Sequence, residues 1–195
     1  MITRTETLSL PEGNIQAKVD IYEDQDIKAL AEIYKSWRIL CDQATALKAR
    51  KINLPDVLSE CGFCYFFKCW RTNYGVPGAA HSSFDAYDPQ SHARIQIKGC
   101  SVESDLTSFG PDSVWDKLYF VDFYKEGNWD YTFDVYLIDN EAIYNTKVNR
   151  NETFVDQQRQ KRRPRFSIIK SIIEPFNLKP QFTCNIKTGE MTKNF

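Results

Sequence analysis

The sequence has no apolar run approaching the roughly 20 residues of a membrane-spanning helix, which argues against a transmembrane segment. Its start, Met1-Ile2-Thr3-Arg4-Thr5-Glu6, has no signal-peptide apolar region, so a cytoplasmic protein is expected. No internal repeat and no low-complexity tract is present. A charge excess is missing too: 25 Lys and Arg stand against 26 Asp and Glu, for a net charge of −1. A zinc site is also hard to build. Cys61-x-x-Cys64 and Cys69 lie among Phe63, Tyr65, Phe66, Phe67 and Trp70 in an apolar stretch. Cys41, Cys100, Cys184, His81 and His92 offer no familiar second ligand pair. Buried, reduced thiols are the natural reading.

What is there points to a globular chain. Apolar residues make up 42% and aromatics 14%, and 195 residues suit one domain with a single core. Charge is unevenly spread. Asp20, Glu23, Asp24 and Asp26 cluster near the start. Arg159, Lys161, Arg162, Arg163, Arg165 and Lys170 form a later run with no acid among them. A polyanion responds to such a local field more than to the net charge.

Residues 26–51 read as a long helix, with Ile27, Leu30, Ala31, Tyr34, Trp37, Ile39 and Leu40 as its stripe. Pro55 is expected to open a second helix that runs to about Arg71 and carries Glu60 in its middle. Asn73–Gly78 reads as a loop. Strands are expected around Ser82–Tyr87 and Ala93–Gly99, joined by a turn at Asp88–Ser91, with an earlier strand near Tyr74–Ala80. A short helix is expected over Val114–Lys117, capped by Asp112 or Ser113. Leu118–Tyr124 and Tyr131–Ile138 read as a strand pair around Glu126-Gly127-Asn128. Asn140–Thr146 reads as helix, and Ser167–Phe176 as a packed apolar segment that Pro175 ends.

Two constellations carry chemistry. Ala93-Arg94-Ile95-Gln96-Ile97-Lys98-Gly99 alternates apolar and polar residues, so Gln96 and Lys98 share one face of a strand and Ile95 and Ile97 the other. With Asp85 on a neighbouring strand, a carboxylate, an amide oxygen and an ammonium meet at one place. Such a set suits a hard divalent cation beside a phosphate. Taken singly, Asp85 could cap a turn, Lys98 could be a solvated charge at a strand edge, and Glu60 could be an exposed helix residue. The second constellation runs from Glu152 to Phe166. Its Gln157, Gln158, Arg159, Lys161, Arg162, Arg163 and Arg165 are types that contact phosphates and read base edges. A solvated face would more often mix lysine with glutamate.

Asp85 followed by Gln96-x-Lys98 resembles the PD-(D/E)XK nuclease signature in its QxK variant. The proline of that name is absent, since Ser83-Phe84 precede the aspartate. With Glu60, Asp105–Pro111 and the run from Gln157 to Ser167, residues 50–180 resemble a type II restriction endonuclease, and most of all the small group that cuts at GCNGC. The resemblance implies an α/β fold: a restriction-endonuclease-like core with a mixed central sheet flanked by helices, and extra helical segments. It divides one nuclease domain, residues 1–195, into an N-terminal helical arm (1–52), a catalytic core (53–138) and a DNA-recognition and C-terminal segment (139–180). It implies Mg²⁺ held by Asp85, Gln96, the Ile97 carbonyl and Glu60, with Lys98 orienting water or offsetting charge on the phosphate. A neutral Gln96 lowers the negative charge of that site and gives Glu60 more weight. The implied activity is cleavage of short palindromic, G·C-rich duplex DNA by a homodimer, with a cognate DNA methyltransferase in the same system and no stable complex with it. A structure-specific repair or recombination nuclease of the same fold, and a non-catalytic DNA-binding protein, are the alternatives.

Overall fold

The computed structural model describes residues 1–72, 84–103 and 105–195. The chain opens with a hairpin, β1 (Ile2–Leu10) and β2 (Gly13–Ile21), paired in register from Ile2↔Ile21 to Leu10↔Gly13. Pro11 and Glu12 form its tip, and Gly13 takes a φ of +125°, which favours glycine. This corrects the expectation of a helical arm from the first residue. The segment Ile2-Thr3-Arg4-Thr5-Glu6-Thr7, rich in β-branched residues, fits a pleated surface better than a helix. Helix α1 (Ile27–Ala46) follows and buries Leu30, Tyr34, Trp37 and Cys41 on its inner side.

The second helix begins with a π-helical turn at Val57–Cys61, on which the Asp56 carboxylate accepts the Val57 N–H, and continues as α2 (Gly62–Phe67). It stops earlier than expected. Lys68 adopts a left-handed conformation, and β3 (Trp70–Thr72) takes the residues up to Thr72 into the sheet. The expected loop at Asn73–Gly78 and strand near Tyr74–Ala80 lie outside the described residues, as do Ser82 and Ser83.

Strands β4 (Ala86–Asp88) and β5 (Ala93–Cys100) pair antiparallel around the turn that follows Asp88. Strand β7 (Lys117–Asp122) lies parallel to β5, and β8 (Thr132–Ile138) antiparallel to β7. The expected helix over Val114–Lys117 is not formed, and neither Asp112 nor Ser113 caps one. Asp116 is drawn instead into extended pairing: its N–H donates to the Arg94 carbonyl at 2.9 Å, and its carboxylate accepts from Arg94 Nη2 at 2.7 Å. Among the described residues, the crossover from β5 to β7 carries only a two-residue strand, β6 (Thr107–Ser108). Helices α3 (Asn140–Asn145) and α4 (Phe154–Arg159) come next, then β9 (Arg165–Phe166), which pairs with β6. A C-terminal hairpin, β10 (Phe182–Asn185) and β11 (Glu190–Lys193), was not foreseen in the sequence and extends the sheet beyond β8.

The result is a mixed α/β fold whose main sheet runs β1-β2-β3-β4-β5-β7-β8-β10-β11 among the described residues. All its pairs but β5·β7 are antiparallel. Helices cover both faces, and β7 is largely apolar on both sides, while β5 buries Arg94 and Gln96 on one face. Ile95, Ile97 and Val121 pack with α1 and α2, while Leu118, Phe120 and Cys100 pack with the α3, α4 and Ile168–Ile173 side. Gly99 lets the second helix come close to β5. A Cβ there would stand 2.9 Å from both Leu54 Cδ2 and Val121 Cγ2. No helix among the described residues is long and apolar enough to cross a membrane.

Candidate active site and nucleic-acid interface

Asp85 sits one residue before β4 and is held between two strands. Its N–H donates to the Ile95 carbonyl at 2.9 Å, and its carbonyl accepts the Thr72 N–H at 3.1 Å. Its side chain turns onto β5. Oδ2 accepts the Ile97 N–H at 2.8 Å and also the Gln96 amide. The acid and the amide named from the sequence are therefore in direct contact. Burial pushes the Asp85 carboxyl above the usual carboxylate range, against the opposing pull of Lys98, the Ile97 N–H and the Gln96 amide. Lys98 is thus the stronger cationic influence on Asp85, ahead of Arg71.

Glu60 approaches from the π-helical turn, and burial and then the charge of Asp85 push its carboxyl up. Arg71 on β3 opposes that shift. Its Nη2 stands 2.8 Å from Glu60 Oε2 and 3.2 Å from Asp56 Oδ2. Reasoning from the sequence missed Arg71, because it was placed at the end of a helix, where its reach to Glu60 has no signal in the spacing. Asp85, Gln96, Ile97, Lys98 and Glu60 are brought to one region. Among the described residues no three His, Cys, Asp or Glu side chains cluster as metal ligands. Oxygen donors here amount to two carboxylates supplemented by an amide and a backbone carbonyl.

Lys98 also leads to the second constellation. Its ammonium lies 5.6 Å from the centroid of Phe109. Phe109 stacks on Phe166 at 5.6 Å and 14°, and its N–H donates to the Pro164 carbonyl at 3.1 Å. The β6·β9 ribbon thus ties the end of the basic run to the strand that carries Gln96 and Lys98. Ser101 and Thr107 are buried, and the buried Ser108 hydroxyl has no hydrogen-bond partner among the described residues.

The basic run is ordered by α4. Thr153 and Asp156 form a reciprocal cap at its start. Gln157 is buried, and its amide donates to Glu152 Oε2 at 3.1 Å, so it lies beneath the basic face and not on it. Gln158 is partly buried and donates to the Gly110 carbonyl at 3.5 Å. Arg159, Lys161, Arg162, Arg163 and Arg165 are exposed. Lys161 pairs with Asp112, and Arg162 Nη1 lies 2.9 Å from Glu152 Oε1. The side chains of Arg163 and Arg165 make no hydrogen bond or ion pair to a described residue. Sequence reasoning passed over Glu152 as one member of a polar run. The signal available was that it is the last acid but one before a stretch with none.

The six cysteines are buried and unpaired. Burial pushes the thiols of Cys69 and Cys184 up to about 12, which keeps them protonated and inert at neutral pH.

A family model described as Bsp6I restriction endonuclease matches residues 22–175. A curated relative, the type II restriction enzyme Bsp6I of Bacillus sp. (strain RFL6), is 34% identical over 145 residues, which cover 74% of this chain and 79% of that enzyme. No solved structure matches the chain. The family match spans the whole of α1, the second helix, the Asp85 and Gln96-x-Lys98 region and the basic run.

Proposed function

The chain belongs to the Bsp6I restriction endonuclease family and is a type II site-specific deoxyribonuclease, and from that premise we propose that Asp85, Gln96, Lys98 and Glu60 cut the DNA strand in the manner of a PD-(D/E)XK enzyme of the QxK kind. The observation that carries this reading is the meeting of Asp85 with Gln96 and Ile97 at the rim of β4 and β5. The donors fit a hard divalent cation, because two carboxylates raised by burial, and Glu60 also by the charge of Asp85, are relieved by positive charge between them. Asp85, Gln96, the Ile97 carbonyl and Glu60 would hold the ion. Mg²⁺ would supply charge at the scissile phosphate and a more acidic attacking water.

The protein's own groups have defined tasks. Asp85 is the hub, since its carboxylate already gathers Gln96 and Ile97. Gln96 donates its amide N–H to Asp85, and a half-turn of that amide offers its oxygen instead. Lys98 orients the attacking water or offsets the charge that grows on the phosphate. Arg71 keeps Glu60 partly neutralised until another cation competes for it.

Arg159, Lys161, Arg162, Arg163 and Arg165 form the DNA-contacting face, with Gln158 at its edge and Gln157 supporting it from within. Arginine suits both phosphate and the O6/N7 edge of guanine, which favours G·C-rich sites, with GCNGC as the specific candidate. A palindromic site is read most simply by a two-fold homodimer in which each subunit cuts one strand. Such an enzyme acts in the cytoplasm beside a methyltransferase that protects the host's own sites and forms no stable complex with it.

The deciding experiment is digestion of plasmid DNA with Mg²⁺, with and without chelator, followed by sequencing of the ends. Discrete bands that need metal and share one sequence at their ends are expected. A smear, or nicks only at junctions, would favour a structure-specific nuclease.

A further inference from the structure

One exposed arginine in the basic run is not free. Arg162 Nη1 donates to Glu152 Oε1 at 2.9 Å, to Glu152 Oε2 at 3.0 Å and to Gln160 Oε1 at 3.1 Å. Glu152 is itself a hub. Its oxygens also accept from Asn149 at 2.6 Å, Gln160 at 3.0 Å and Gln157 at 3.1 Å. Its N–H donates to Asn149 Oδ1 at 2.9 Å, which fixes the backbone beneath. These donors hold the Glu152 carboxyl down to about 2, so it stays ionised at any working pH. Exposed ion pairs contribute little to stability, so stability alone does not account for so many donors on one carboxylate. The pairing also has a cost for phosphate binding, because it sets an anion beside a cation that a phosphate would otherwise attract. Arg163 and Arg165 beyond it pair with no described residue, as phosphate contacts would.

What the arrangement does achieve is orientation. Nη1 is used three times, while Nε and Nη2 make no hydrogen bond to a described residue, and the side chain is half exposed. That remaining edge carries two parallel N–H donors, the pattern that pairs with guanine O6 and N7. We propose that Glu152 is a positioning residue that fixes Arg162 so that its Nε–Nη2 edge reads a guanine of the target site. This deepens the assignment of the basic run to DNA and rests on it.

The test compares the wild type with Glu152→Gln, Arg162→Lys and the double variant, once end sequencing has defined the target. Two ratios are measured: kcat/KM on the target against duplexes with single guanines changed, and kcat/KM on the target against one carrying 7-deazaguanine, which lacks N7. Glu152→Gln is expected to lower discrimination at one guanine by about fivefold or more, to abolish the 7-deazaguanine effect there, and to leave non-target binding unchanged or tighter. Arg162→Lys keeps the charge but not the fork, so it should lose the same discrimination, and the double variant should lose no more than either single. Full discrimination in Glu152→Gln overturns the proposal, as does an equal loss on target and non-target DNA with a lower melting temperature. Independent effects that multiply in the double variant overturn it as well. A separate variant, Arg159→Ala/Arg163→Ala/Arg165→Ala, tests the underlying assignment. If its affinity and salt dependence match the wild type, the DNA-facing assignment itself falls.

Discussion

The Lys98 ammonium lies 5.6 Å from the ring centroid of Phe109, which also packs against the rings of Phe166, Phe154 and Trp115. One aromatic cluster therefore adjoins both the cation of the proposed active site and β9, the strand that ends the basic run. Phe109→Leu keeps an apolar side chain in a fully buried position but removes three carbons, so its cost to folding is expected to be about 1–3 kcal/mol. It removes the ring face that attracts the ammonium, an interaction of about 0.5–2 kcal/mol. The expected outcome is a fall in single-turnover cleavage of about 2- to 30-fold with DNA affinity near the wild-type value. A cleavage rate equal to the wild type's would show that the ring does not position Lys98.

Asp85→Asn should separate chemistry from binding. It removes the charge proposed to hold the cation while keeping an oxygen that accepts the Ile97 N–H. Cleavage is expected to fall by about 10³-fold or more, corresponding to the several kcal/mol that a metal site contributes to the transition state. Electrophoretic mobility shift on the target duplex should change little. Wild-type cleavage by this variant would remove Asp85 from the site.

Much of this arrangement was legible in the sequence where a local pattern and the tertiary contact coincide. Period-two alternation puts Gln96 and Lys98 on one face of β5, and a turn at Asp88 brings Asp85 back alongside them. The strand pair around Gly127 and the helix at Asn140 were equally local. What was not legible depends on distant partners. Residues 2–21 form a hairpin whose tip is pinned by Glu12 to Arg94 at 2.8 Å, a pairing across the chain that no window shows. Arg94 also holds Asp116 in extended structure, so a segment with good capping residues does not become a helix. Gln157 read as a base contact because its type fits one, and only packing around Glu152 turned it inward.

The raised carboxyls give a pH dependence with a definite sign. Asp85 and Glu60 both have folded-state values above the ordinary range, so without metal these two groups bind more protons in the folded protein than in the unfolded chain. Their contribution to metal-free stability should then fall as pH rises from the ordinary carboxylate range through the raised values. A bound cation favours the ionised forms and removes that penalty. The stabilisation on adding Mg²⁺, read as a melting-temperature shift by calorimetry, is therefore expected to be larger at pH 8 than at pH 5. Glu60→Gln should shrink the difference between the two pH values, and Asp85→Asn should shrink it further. An equal shift at both pH values would mean that these carboxyls do not meet the ion.

Gly99 tests whether the approach of the second helix matters to chemistry as well as to packing. It directly follows Lys98 on β5, and a Cβ there would meet Leu54 Cδ2 and Val121 Cγ2 at 2.9 Å and Ser59 Cβ at 3.2 Å. Val121 is β-branched and buried in the sheet, so it has little freedom to give way. The helix side has to move instead, and Ser59 on that side is the neighbour of Glu60. Gly99→Ala is expected to cost about 1–3 kcal/mol of stability by overpacking, measured by denaturant unfolding. It should also weaken Mg²⁺ activation, because Glu60 is carried away from Asp85 with the helix. Leu54→Ala in the same background opens space on the helix side of the contact. Partial recovery of Mg²⁺ activation in that double variant would locate the defect in the spacing between the helix and β5, whereas a loss confined to stability would leave Glu60 out of the metal's reach.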